Sequence, residues 1–160
     1  MKISKLYKIL SLFSLVVPVN IYIIGDYLGA GVQFVLFRYQ ITYLGSVFIS
    51  VFHDLNYILN GAFFGKTAIS IIFWVIGVLC LFIAILLFFI KSYEDVENSI
   101  RGGLLIVISA ILFLISIVIQ YGITFSGPAG VSIPVGIPLL FVIGIWIFYN
   151  EKKYKKPRQQ

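Results

Sequence analysis

The chain has 160 residues, of which 61% are hydrophobic and only 11% charged. A water-soluble domain of this size has too much surface to hide so many apolar side chains, so an ordinary soluble fold is excluded and lipid is the expected solvent. The formal net charge is +6, and the single cysteine, Cys80, excludes both an intramolecular disulfide and a zinc site built from several thiolates.

In chain order, the first long apolar run covers residues 6–24 and carries Pro18 and Asn20. Lys2, Lys5 and Lys8 precede it, as in a secretory signal. The nearest small-residue cleavage site, Gly29-Ala30-Gly31, lies beyond Asn20 and Asp26, so the segment reads as an uncleaved signal-anchor helix. Three further runs, residues 67–90, 102–122 and 133–149, are long enough at helical rise to cross roughly 30 Å of hydrocarbon. Trp74, Tyr121, Trp146 and Tyr149 fall towards the ends of these runs, where amphipathic rings favour the headgroup layer. The expectation is therefore an all-α membrane protein, a bundle of four transmembrane helices in one domain. An outer loop at 25–66, an inner loop at 91–101, a short outer loop at 123–132 and a basic tail at 150–160 would complete it.

The outer loop at 25–66 is unusually apolar. Phe37, Tyr39, Ile41 and Tyr43 alternate with Arg38, Gln40 and Thr42, which is strand periodicity. Leu44-Gly45-Ser46 then reads as a turn into a second strand at 47–52, giving a small sheet with one aromatic face. Residues 41–59 also read as a fifth span, at the cost of burying His53, Asp54 and Asn56, or as a re-entrant or interfacial helix. With four spans, the cations Lys2, Lys5, Lys8, Lys91, Arg101, Lys152, Lys153, Lys155, Lys156 and Arg158 all fall on one side. Arg38 and Lys66 fall on the other, where Asp26 and Asp54 cancel them. Ten cations against two predicts that both termini are cytoplasmic, in a cell membrane.

Candidate sites are few. His53 is the only histidine, and with Asp54, Arg38 and Asp26 it forms the one place where polar chemistry could gather. Neighbours on a strand point to opposite faces and on a helix sit about 100° apart, so His53 and Asp54 are poorly placed to pair with each other. A polar surface turn or a single structural hydrogen bond accounts for them better than a site does. No catalytic residue, cofactor or metal set is assigned, and the helices lack the intramembrane Asp, Glu, His or Arg expected of a pump or ion-coupled transporter. Ser70, Gly77 and Ala84 in the second run, and Gly102, Ser109 and Ser116 in the third, recur every seven residues. That spacing keeps small side chains on one face, where two backbones can approach. In the tail, Lys152, Lys153, Lys155, Lys156 and Arg158 suit anionic lipid headgroups and also serve as a topogenic stop. Nucleic acid is not an expected partner.

Four spans, cytoplasmic ends, a long β-prone first outer loop and a short second one resemble the layout of claudin-type tetraspan proteins. In that family the first loop forms a small sheet with a Trp-rich motif and a disulfide. Neither tryptophan nor cysteine occurs here at 25–66, so no functional residue carries over. The resemblance implies only that such a loop can serve as a surface for lateral or partner contacts. The expected function is accordingly non-enzymatic: an accessory subunit of a larger membrane complex or a self-associating surface protein. Phe37, Tyr39, Ile41 and Tyr43 would form its contact surface. The alternative is a membrane enzyme or redox subunit acting on quinone or lipid near the outer interface, with His53 as its polar centre.

Overall fold

The computed structural model describes residues 2–25, 28–90 and 96–155. Helix α1 covers Lys2–Val16, β1 Asn20–Ile24, β2 Gly29–Gln33, β3 Phe37–Thr42, β4 Gly45–Ser50 and α2 Val51–Leu59. Then follow α3 Gly65–Ile90, α4 Val96–Tyr121, β5 Ser126–Gly127, β6 Gly130–Ile133 and α5 Ile137–Lys155. The six strands form one antiparallel sheet in the order β4-β3-β2-β1-β6-β5. Four consecutive strands make a meander, and the late β5–β6 hairpin docks on β1.

This architecture overturns the all-α, four-span expectation. Among the described residues there are five helices and a six-stranded sheet, and only α3 and α4 are long and apolar enough to cross a membrane. The first run fails as a span because Pro18 cannot donate a helical hydrogen bond and drives Val17 out of the α region. Helix α1 stops at Val16, and Asn20–Ile24 becomes a strand. The apolar part of α1, Leu6–Val16, is about 16 Å long at 1.5 Å per residue, roughly half a hydrocarbon core. The fourth run fails for the same reason. Its first residues lie in β6 and the Pro134 turn, and α5 reaches Glu151, Lys152 and Lys153 soon after Tyr149. The predicted turn at 44–46 shifts to Tyr43-Leu44, and residues 51–59 are helical, not a strand or a fifth span.

The helical layer is built on α3 and α4, with α5 against α4 and α1 against α3 and α5. Ser70 and Ser116 each donate to the other's backbone carbonyl, at 2.9 and 2.8 Å, and Ser109 donates to the Gly77 carbonyl at 2.8 Å. Gly77 is covered by the Phe113 ring and Gly102 by the Phe88 ring, while Ala84 is fully buried. The α4–α5 contact is closer still. A Cβ on Gly144 would lie 2.9 Å from the Gly103 carbonyl oxygen, so these helices meet backbone to backbone. Tyr7 of α1 is buried between Phe88 and Trp146.

Outside this core, Ile72, Ile76, Leu79 and Leu86 of α3, with Leu104 and Ile111 of α4, are exposed. A belt of exposed aliphatic side chains along two long apolar helices is what lipid contact requires, and water would oppose it. By length and composition, α3 and α4 are each able to cross a membrane.

The sheet is inside out. Along one face run the cross-strand rows Ile133-Ile21-Val32-Tyr39-Phe48 and Val131-Ile23-Ala30-Ile41-Ser46. Ile21, Tyr39, Ile41, Phe48, Val131 and Ile133 are exposed there. The opposite face carries Asn20-Gln33-Arg38-Ile49 and Ser132-Tyr22-Gly31-Gln40-Val47, and Asn20, Tyr22, Gly31, Ile49 and Ser132 are buried. Side chains alternate along each strand, so turning the polar set inwards puts the apolar set outside.

Candidate functional site: a polar cavity between sheet and helices

The inward polar face does not pack solidly against the helices. It encloses a cavity of about 60 Å³ whose walls include Tyr22, Gln33 and Arg38 from the sheet and Asp54 from α2. Thr67 and Ser70 near the start of α3, and Ser116, Gln120 and Tyr121 at the end of α4, complete the polar lining. Such a volume holds a few water molecules or one small polar group.

Each element delivers its side chain for a local reason. In β3, period-two alternation turns Arg38 inwards while Phe37 and Tyr39 face out. Helix α2 begins at Ser50, whose extended backbone and side-chain oxygen cap the helix by accepting from the His53 N–H at 3.4 Å. Asp54 therefore sits in the first turn, buried, with Oδ1 2.6 Å from Arg38 Nη2. In β1, Tyr22 lies across Gly31 and donates to Gln40 Oε1 at 3.2 Å. Gly31 is needed here because a Cβ would lie 2.5 Å from Tyr22 Oη. Beside the cavity, buried Trp74 donates Nε1–H to the Val35 carbonyl at 3.0 Å, tying α3 to the β2–β3 turn.

The electrostatics are those of a neutral but strongly polar pocket. Burial pushes the Asp54 carboxyl above its ordinary value of 3.8, and the Arg38 guanidinium pulls it back without fully offsetting that rise. Burial likewise raises the Tyr22 phenol; Arg38 lowers it and Asp54 adds to the rise. Arg38 Nε and Gln120 Oε1 are buried without a protein hydrogen-bond partner, so one donor and one acceptor remain unmatched in the walls. Hydroxyls, amides and one ion pair equip the pocket to hold water or a small uncharged hydrogen-bonding group.

Of the residues expected to gather here, Arg38 and Asp54 meet, while His53 is exposed, with Nδ1 2.9 Å from Ser50 Oγ, and does not line the cavity. Asp26 lies outside the described residues. Among the described residues no three His, Cys, Asp or Glu side chains converge as a metal set. Phe37, Tyr39 and Ile41 share the outer face of β3, whereas Tyr43 is exposed in the β3–β4 turn; Phe37 is half-buried between Phe34 and Phe48 in a stack with centroids 4.6 and 4.8 Å apart. Lys152 and Lys153 are exposed near the end of α5, which closes at Lys155. Lys156 and Arg158 lie outside the described residues.

Sequence reasoning did not place Tyr22, Gln33, Gln120 or Tyr121 in the site. A signal existed in β1, where polar Asn20 and Tyr22 alternate with Ile21 and Ile23. For Gln120, a lone amide at a helix end, no local pattern distinguishes a cavity wall from a solvated terminus. Comparison of the chain with family models, with curated proteins and with solved structures gave no match.

Proposed function

We propose that the protein is a membrane-embedded contact protein without enzymatic activity, joining another membrane subunit or further copies of itself through the outer face of its sheet. The observation that carries this reading is the pair of apolar cross-strand rows, with Tyr39 41% and Phe48 59% exposed at the β3–β4 end of one of them. Apolar surface of this extent on a folded protein is ordinarily covered by something. In this reading the sheet is extracytoplasmic and both termini are cytoplasmic. The positive-inside rule supports it, since Arg101, Lys152 and Lys153 lie towards the ends of α4 and α5 remote from the sheet.

The test is the double variant Tyr39→Ser/Phe48→Ser, extracted in mild detergent and weighed intact by native mass spectrometry beside the parent. The parent should carry a stoichiometric partner or a second copy, and the variant should lose it. A well-folded variant with unchanged stoichiometry would refute the reading.

A further inference from the structure

We propose that α2 and the turn after it, residues 51–64, form an in-plane anchor seated in the headgroup layer of the bilayer beside α3. This inference concerns a lipid surface and does not depend on what covers the outer face of the sheet.

Helix α2 leaves large apolar side chains exposed beside His53 and Asn56 while burying its acidic one. Its one carboxylate, Asp54, is buried against Arg38, whereas Phe52 and Leu59 are 80% and 82% exposed. Seven residues apart, these two lie on one helical face. Phe64, in the turn that follows, is 82% exposed as well. Water would oppose all three, and the protein's own core does not take them up.

Position selects lipid as the occupant. Helix α2 packs on α3, and Phe64 immediately precedes the α3 residue Gly65. Exposed apolar side chains continue along α3 at Ile69, Ile72 and Ile76, on a helix long and apolar enough to cross a membrane, so lipid around α3 would also reach α2. Gly61 and Gly65 adopt φ values of +71° and +60°, which turn the chain between the two helices. The rim suits an interface. His53, Asn56 and Asn60 present polar groups, Tyr57 is amphipathic and packs edge-on to Phe63, and exposed Lys66 would supply a cation for lipid phosphates. No carboxylate lies on this exposed face. Through the Arg38–Asp54 bond the anchor would hold β3, and with it the sheet, at a fixed height over the membrane.

The experiment places a nitroxide label at Leu59→Cys or Phe64→Cys in the full chain carrying Cys80→Ser, reconstituted into phosphatidylcholine vesicles. Collision rates with dissolved oxygen, which enriches in lipid, are compared with those of a water-soluble nickel chelate. Ile76→Cys serves as the lipid reference and Tyr43→Cys, on the exposed β3–β4 turn, as the aqueous one. The oxygen-to-nickel ratio at both sites should exceed that at Tyr43 several-fold and approach that at Ile76. A ratio equal to that at Tyr43 would overturn the proposal. Shielding from both reagents would overturn it too, because the segment would then be covered by protein, a second copy included.

Discussion

Replacing Arg38 with methionine isolates the ion pair that fastens α2 to the sheet. Methionine keeps most of the packed stem and removes the charge, leaving Asp54 as a carboxylate whose side chain is 10% exposed. Truncating one partner of a buried pair costs about 3–5 kcal/mol; with Arg38 itself 23% exposed, solvent screening places the expectation at about 3 kcal/mol. Adding Asp54→Leu should recover most of that loss, because an apolar pair of similar volume is often as stable as the ion pair it replaces. The measurement is reversible unfolding in detergent micelles across a pH series. Burial already raises Asp54 above 3.8, and without Arg38 it rises further. Between 3.8 and that raised value the folded variant keeps a proton the unfolded chain has lost, so folding takes up a proton and stability falls as pH rises. The Arg38→Met penalty should therefore be smallest below 3.8 and grow as pH rises through the raised Asp54 value. A penalty that does not change with pH, or one below about 1 kcal/mol at neutrality, would mean that Asp54 is solvated and that the pair does not clamp α2.

Two glycines test the close approaches in the fold. Gly31→Ala should displace the Tyr22 ring from its seat and break its bond to Gln40, costing about 1–3 kcal/mol for overpacking and about 1 kcal/mol for the bond. The thermal midpoint in detergent reads that loss. Gly144→Ala should drive α5 off α4, because the new Cβ meets the Gly103 carbonyl oxygen and the Val107 backbone nitrogen, at 2.9 and 3.0 Å, neither of which can rotate away. A drop of about 1–3 kcal/mol is expected, and an unchanged midpoint would show that α5 is not seated on α4.

Much of the fold was legible where a pattern is local. The uninterrupted apolar runs locate α3 and α4, and the alternation of Phe37, Tyr39 and Ile41 with Arg38 and Gln40 locates β3. What misled was hydrophobicity without its period. Residues 20–24 and 130–133 are as apolar as their helical neighbours, and only Pro18 and Pro134 mark where helix and strand divide. The β1–β6 ladder joins residues more than a hundred positions apart, Ile21 to Ile133, a non-local pairing that no window can display. For α2 the signal was present but shared: a cap at Ser50 with Phe52 and Leu59 at helical spacing competed with strand-like Val47 to Phe52. The site divided along the same line. Arg38 and Asp54 could be named from their charge, whereas Tyr22, Gln33 and Gln120 join them only through sheet register and helix length.

The inside-out sheet separates what the protein needs for folding from what it offers to others. Val19, just before β1, and Val35, between β2 and β3, enter the apolar core, but none of the side chains in the two outer rows does. Removing apolar area at Tyr39 and Phe48 should therefore cost monomer stability only about 1 kcal/mol, for the lost Phe37–Phe48 stack, less than Arg38→Met. Covering the remaining exposed half of each such side chain is worth roughly 1 kcal/mol, available only when another surface arrives. The polar face works the other way: its ion pair and hydrogen bonds act within the chain, holding α2 and the sheet over the ends of α3 and α4. A variant that abolishes association while the unfolding midpoint drops no further than the lost stack accounts for would locate contact in the outer rows. Coupled loss of both would instead make those rows part of the fold, and the division of roles between the two faces would fail.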